Sequence, residues 1–167
     1  MNTVKPLVGQ SGMDSEADAS KDRLRLWLRI LKVSKFIESE LREKLRSEFD
    51  TTLPRFDVLA ALYRNEKGLK MSDLSTELRV SNGNVTGIVD RLVADGEVMR
   101  VPVDNDRRAI TVRLTPVGRT RFETMAGDHE GWIDGMLSGL SGADSRMLTA
   151  ALDGIAPSGR AVRRRGE

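Results

Sequence analysis

The feature that most constrains this chain is a change of hydrophobic period at Asp95-Gly96. Before it, Leu74 and Leu78, then Val85, Ile88, Val89 and Leu92, recur every three or four residues, the spacing of helices buried on one face. After it, Met99, Val101 and Val103 alternate, as do Ile110, Val112 and Leu114, the spacing of half-buried strands. The polar run from Asp104 to Arg108 separates the two alternating stretches, which therefore read as a hairpin with an arginine-bearing tip. Only Arg79-Val80 joins the two helical stretches, and Ser81 is placed to cap the second. Helix, short turn, helix and hairpin in that order make a winged helix-turn-helix.

The flanking sequence is helical. Leu26, Ile30, Val33, Ile37, Leu41 and Leu45 mark a helix of about 27 residues, expected to begin near Ser20 or Lys21. Leu24, Trp27, Leu28 and Leu31 add a second apolar patch on its first half, which a second subunit would cover, so a homodimer is expected. Thr51-Thr52-Leu53-Pro54 opens another helix, with Phe56, Leu59, Leu62 and Tyr63 on one face, ending before a turn at 65–68. Thr115-Pro116 opens a helix to about Gly139, and Ser141 with Asp144 resembles a capping box for a last helix carrying Met147, Leu148, Leu152 and Ile155. The expected fold is mainly α with a small β-hairpin wing, a winged helix-turn-helix with N- and C-terminal dimerisation helices. The expected divisions are a disordered tail over 1–20, a dimerisation helix over 21–50, the winged lobe over 51–115, C-terminal dimerisation helices over 116–156 and a basic flexible tail over 157–167. Gly127, Gly131, Gly135 and Gly139 recur every four residues, read either as close approach of another helix or a bend, or as the open wall of a ligand groove.

Composition excludes several functions. With 167 residues the chain suits one domain or two small lobes sharing a core. It has no Cys and one His, so a disulfide framework, a thiolate metal cluster, a Cys nucleophile and a multi-His site are all ruled out. His129 reads as a surface or packing residue, and no metal or cofactor is expected. Gly83 and Gly87 fall inside a helix rather than in a strand-to-helix phosphate loop, and no nucleophile–base pair or paired carboxylates stand out, so an enzyme is not expected. The sequence shows no membrane span and no signal peptide, and a cytoplasmic location is expected. The net charge of +2 conceals blocks: residues 98–121 hold six Arg and no Lys against two acids, while 122–155 hold six acids against one Arg. Arginine in and beside the hairpin favours phosphate and groove recognition by its planar fork of donors, and a solvated hairpin with ordinary salt bridges is the competing account.

The helix after Ser81 turns Asn82, Gly83, Asn84, Thr86, Gly87, Asp90 and Arg91 outward. A surface this small and polar can enter a major groove, where Asn amides pair with base edges; a plain surface helix capped by Ser and Asn is the alternative. Each glycine costs such a helix about 1 kcal/mol relative to Ala, with no return on a plain surface.

Three segments, LPRFDVLAAL (53–62), MSDLSTELRVSNGNVTGIVDRLVADGEVMR (71–100) and DNDRRAITVRLTPVGR (104–119), resemble the MarR family of bacterial winged-helix regulators, over about 21–155. The resemblance implies a homodimer whose first and C-terminal helices intertwine, each subunit offering a winged helix to a palindromic double-stranded DNA operator. It implies a transcriptional regulator, typically a repressor, released by a small effector. Ser81, Asn82, Asn84 and Thr86 match the family's recognition-helix contacts, and outward-facing Arg91 is added from the helix pattern. Asp106, Arg107 and Arg108 match the wing pattern, with Arg108 expected in the minor groove, Asp106 bracing it and Arg107 at a phosphate. At Gly87 many members carry a larger polar or basic residue, which puts one base or phosphate contact in doubt. Without cysteine, the thiol-sensing branch is excluded. Trp27, Ser34 and Phe56 lie where the family builds its effector pocket and would suit an aromatic acid, or its coenzyme A thioester with Arg29, Lys32 and Lys35 nearby; the competing reading puts Trp27 and Phe56 in the dimer or the core. A winged-helix protein–protein interaction module is the alternative function.

Overall fold

The computed structural model describes residues 10–103 and 106–155, with side chains given for all of these except 10–15, 17, 103 and 106–109. Among the described residues, six helices and three strands follow in the order α1 (Gln10–Phe49), α2 (Leu53–Arg64), β1 (Leu69–Lys70), α3 (Met71–Leu78), α4 (Asn82–Ala94), β2 (Val98–Val103), β3 (Asp106–Leu114), α5 (Pro116–Met136) and α6 (Gly142–Asp153). The mainly helical class with a small sheet is the one expected from sequence. The chain forms two compact units, one through Ala126 and one from Gly127.

The first unit is organised by one core. Leu41 and Leu45 of α1, Phe56, Val58, Leu59 and Leu62 of α2, Leu74 of α3, Val85, Val89 and Leu92 of α4, Val98 and Val112 of the sheet, and Phe122 and Met125 of α5 are all buried. Burying each such side chain contributes about 1.5–3 kcal/mol, so the core holds α4 by its inner face without any side chain from its outer one. Phe122 sits between the rings of Phe56 and Tyr63, at centroid distances of 5.4 and 4.8 Å.

Helix α1 begins at Gln10, ahead of the start expected near Lys21, so residues 10–20 are helical rather than a disordered tail. Apolar period could not reveal this stretch, which holds no repeating apolar face; its described contacts are exposed ion pairs reaching into the rest of α1, Asp18 with Lys21 and Glu16 with Arg23, one or two turns apart. Residues 1–9, and the basic tail expected over 157–167, lie outside the described residues. At its other end α1 stops at Asp50, which takes a left-handed conformation (φ 49°) while the Thr51 N–H donates back to the Leu45 carbonyl at 3.1 Å. Thr52 occupies the N-cap position of α2 but its hydroxyl makes no capping bond.

The sheet runs β1-β3-β2, antiparallel throughout. Strand β1 was not expected, since two residues are too few to alternate; it is placed by the turn at Gly68 (φ 87°), where any side chain would meet the Val112 carbonyl. Strand β3 starts at Asp106, inside the stretch read as the hairpin tip, and the register slips from Pro102↔Ile110 to Val103↔Asp106. Three residues of β3, Arg107 to Ala109, thus face no partner position on β2, the signature of a bulge.

Thr115 caps α5 by accepting from the Gly118 N–H at 3.0 Å, while its hydroxyl also donates to the Gly96 carbonyl at 2.7 Å. In the second unit, Ser141 and Asp144 form the expected capping box of α6. A Cβ at Gly127, Gly131, Gly135 or Gly139 would meet nothing within 4 Å, so among the described residues nothing approaches that stripe closely. Helix α6 buries none of its residues, and Met147, Leu148, Leu152 and Ile155 are exposed.

Gly118 is the position where packing demands a glycine: a Cβ there would lie 1.9 Å from the Glu97 carbonyl oxygen, a backbone atom. Gly118→Ala is expected to lose about 1–3 kcal/mol of stability in urea unfolding, and an unchanged midpoint would contradict this contact.

Candidate nucleic-acid interface

Helix α3 closes on Arg79, which adopts φ 54° and ψ 37°, a left-handed conformation that costs a non-glycine residue about 1 kcal/mol or more. The Val80 N–H returns to the Ser75 carbonyl at 3.1 Å, and Ser81 then caps α4 by accepting from the Asn84 N–H at 3.4 Å. This turn sets α4 across α3, with Val85, Val89 and Leu92 inward and fully buried. Ser81, Asn82, Gly83, Asn84, Thr86, Gly87, Asp90 and Arg91 are all exposed, the outward face read from sequence.

Their chemistry separates them. Ser81 is engaged as the cap, and Thr86 donates its hydroxyl proton to the Asn82 carbonyl at 2.8 Å. The side-chain amides of Asn82 and Asn84 bond to no other described residue, leaving donors and acceptors that match a base edge. Arg91 is exposed and makes no ion pair among the described residues, whereas Asp90 pairs with Arg100 of β2 at 2.6 Å and ties the wing to the helix. A Cβ on Gly83 or Gly87 would meet nothing within 4 Å, so packing requires neither glycine. Together they floor an open trough of about 610 Å³ between α4 and the start of α2, lined also by Thr52, Arg55, Val80 and Arg91.

The arginine block divides. Arg113 donates to the Glu66 carbonyl at 3.2 and 3.0 Å, Arg119 pairs with Glu66 and lies over the Tyr63 ring, Arg100 holds Asp90, and Arg121 donates to the Phe49 carbonyl at 2.7 Å. Four of the six arginines of 98–121 thus bond within the protein, as the competing reading of this block had it. Arg107 and Arg108 belong to β3 by backbone; their side chains and that of Asp106 lie outside the described residues.

The proposed effector residues stand in different surroundings within one chain. Phe56 is buried beside Phe122, while Ser34 is exposed and Trp27 is 53% exposed on α1. Trp27 precedes Leu41, where α1 enters the core, by fourteen residues, about 21 Å of helix. Burial lowers the pKa of His129 on α5, and no group of three His, Asp or Glu among the described residues could hold a metal ion. No helix among the described residues is long and apolar enough to cross a membrane.

Sequence reasoning missed three residues. Thr52 and Arg55 line the trough from α2, and Arg79 holds the turn. A left-handed position is signalled by Gly or Asn, and an arginine there gives no sign of itself.

Fold and site define a winged helix-turn-helix with a polar, glycine-bearing recognition helix. A family model described as MarR family matches residues 49–109. The chain is 34% identical over 116 residues to the "Transcriptional activatory protein BadR" of Rhodopseudomonas palustris, spanning 68% of this chain and 66% of BadR. Its fold matches a MarR family transcriptional regulator from Silicibacter pomeroyi with TM-score 0.68 and 36% identity, covering 83% of this chain and 95% of the other. It also matches a mutant MarR from E. coli complexed with operator DNA, with TM-score 0.71 and 27% identity over 81% and 96% of the two chains. The chain belongs to the MarR family of transcriptional regulators, and the relatives it matches are regulators rather than enzymes.

Since no packing holds Gly87 to glycine, Gly87→Ala is expected to stabilise the protein by about 0.5–1 kcal/mol in chemical unfolding. A loss of stability would show that the position is structurally constrained after all.

Proposed function

We propose that the chain works in the cytoplasm as a homodimeric repressor that binds a palindromic operator and is released by a small effector, an aromatic acid or its coenzyme A thioester. The observation that carries DNA reading is the outer face of α4, where two carboxamides that bond to no other described residue stand beside two glycines at which a Cβ would meet nothing within 4 Å. Asn82 and Asn84 pair with base edges in the major groove, and Ser81 and Thr86 flank them through their remaining acceptor capacity. Arg91 meets a phosphate. In the wing, Arg108 enters the minor groove, braced by Asp106, and Arg107 meets a phosphate; this assignment rests on the match of the DRR run to the family pattern.

The dimer is supported by apolar side chains that one chain leaves in water: Leu24, Leu26, Trp27, Leu28, Val33 and Phe36 on α1, Met147, Leu148 and Leu152 on α6, and Ile155 just beyond it. Two-fold symmetry then places two recognition helices on successive major grooves, about 34 Å apart. An effector held near Trp27, Ser34 and Phe56 would shift the population towards a dimer whose helices no longer match that spacing, by its differential affinity for the two arrangements. BadR is named as an activator, so the same binding event can carry either sign of control, decided by where the operator lies relative to the promoter.

Fluorescence anisotropy with the chain's own upstream DNA tests the reading. Arg108→Ala is expected to weaken binding by about 1–3 kcal/mol and reduce the salt slope by about one unit, whereas Asn84→Ala is expected to lose discrimination more than general affinity. Parental binding by Arg108→Ala would remove the wing assignment. Absence of sequence-selective binding by the parent would leave a protein–protein module as the better reading. For the dimer, Leu28→Glu is expected to shift sedimentation towards the monomer, and a parent that sediments as a monomer would contradict the symmetric operator.

A further inference from the structure

We propose that Glu97 is a positioning residue, whose buried carboxylate fixes the recognition helix and wing relative to the end of α1 and thereby sets selective DNA binding; this rests on the DNA-binding reading above. Glu97 is 2% exposed and sits in the link between α4 and β2. Its Oε1 lies 3.3 Å from Arg55 Nη2 on α2 and 3.4 Å from Arg121 Nε on α5. Arg55 also pairs with Asp95 at the C-terminal end of α4, and Arg121 Nη2 donates to the carbonyl of Phe49, the last residue of α1. Two helices, α2 and α5, therefore meet at one carboxylate, and their arginines extend the link to the ends of α4 and α1. The backbone of Glu97 is gripped too: its N–H donates to the Leu92 carbonyl at 2.9 Å, and its own carbonyl accepts from the Thr115 N–H at 3.0 Å.

Stability alone does not account for this acid. A buried ion pair is often no more stabilising than well-packed apolar residues of the same volume, because desolvation opposes the attraction. What charge and directional hydrogen bonds add is a defined arrangement of the parts they join. The two arginines balance Asp95 and Glu97, so the cluster leaves no net charge for an outside ion. Among the described residues, Arg55 Nε, Glu97 Oε2 and Arg121 Nε of this cluster are buried without hydrogen-bond partners. The carboxylate thus stands between Arg55, which donates a hydrogen bond to it, and Arg121, which faces it as an ion pair, so a displacement of either arginine is felt by the other. Movement at the end of α1 or on α5 then reaches the C-terminal end of α4 and the first strand of the wing.

The test compares Glu97→Leu, Glu97→Gln and Arg121→Gln with the parent, by anisotropy on the selective upstream duplex and on a scrambled duplex of equal length. Each variant is expected to lose about tenfold or more in affinity for the selective duplex and less than about twofold for the scrambled one, and Glu97→Gln/Arg121→Gln to lose no more than the worse single variant. Glu97→Leu is expected to lower the urea midpoint, because it leaves Arg55 and Arg121 short of one buried counter-charge, while Arg121→Gln, whose side chain is 40% exposed, is expected to lose selectivity with a smaller loss of midpoint, a split that a purely stabilising ion cluster would not give. Parental selectivity in Glu97→Leu or Arg121→Gln overturns the proposal. If the Glu97 variants do not fold, Arg121→Gln, whose side chain is 40% exposed, decides it; loss of fold in all three makes Glu97 a folding determinant and also overturns it. A parent without selectivity sinks the DNA-binding reading, and amide exchange then judges the joint: the last turn of α4 and β2 should exchange at least about fivefold faster in Arg121→Gln, and unchanged exchange overturns the proposal.

Discussion

Val85, Val89 and Leu92 are the contacts on which the rest of this molecule depends. Their burial against α2 and α3 turns the opposite face of α4 to solvent, and every candidate major-groove contact lies on that opposite face. Because the core takes only the inner stripe, the outer residues answer to no packing demand, and two of them are glycines that helix stability alone would disfavour. Stability and recognition are thus separated across one helix, about half a turn apart.

This division explains which parts of the structure were legible in the sequence. The helix pair and the wing announced themselves by period, since a half-buried element repeats its apolar residues at its own pitch. Ser81 was readable as a cap because its hydroxyl satisfies a local N–H, whatever the tertiary surroundings. Residues 10–20 were not, because ion pairs along one helix face leave no apolar rhythm. Nor was β1, which exists only because β3 offers it a partner some forty residues away.

The site was legible in the same uneven way. Asn82 and Asn84 follow from helical geometry alone. The arginine block did not resolve itself, because charge counted along a sequence cannot show that Arg113 turns to the Glu66 carbonyl or that Arg121 reaches the end of α1. Arg55 and Glu97 are 42 residues apart, and nothing local to either signals the partner. The effector residues carry no shared signal within one chain: Phe56 is buried, whereas Trp27 stands on an exposed stretch of α1 whose surroundings are completed by whatever covers that helix.

We infer that α4 and the wing read a two-fold DNA site. Hydroxyl-radical footprinting of the chain's own upstream DNA tests it most directly. The expected result is two symmetric protected half-sites with centres about 10–10.5 base pairs, or a multiple of that, apart, flanked by minor-groove protection that Arg108→Ala removes. Uniform weak protection, or a single unpaired footprint unaffected by Arg108→Ala, would contradict it.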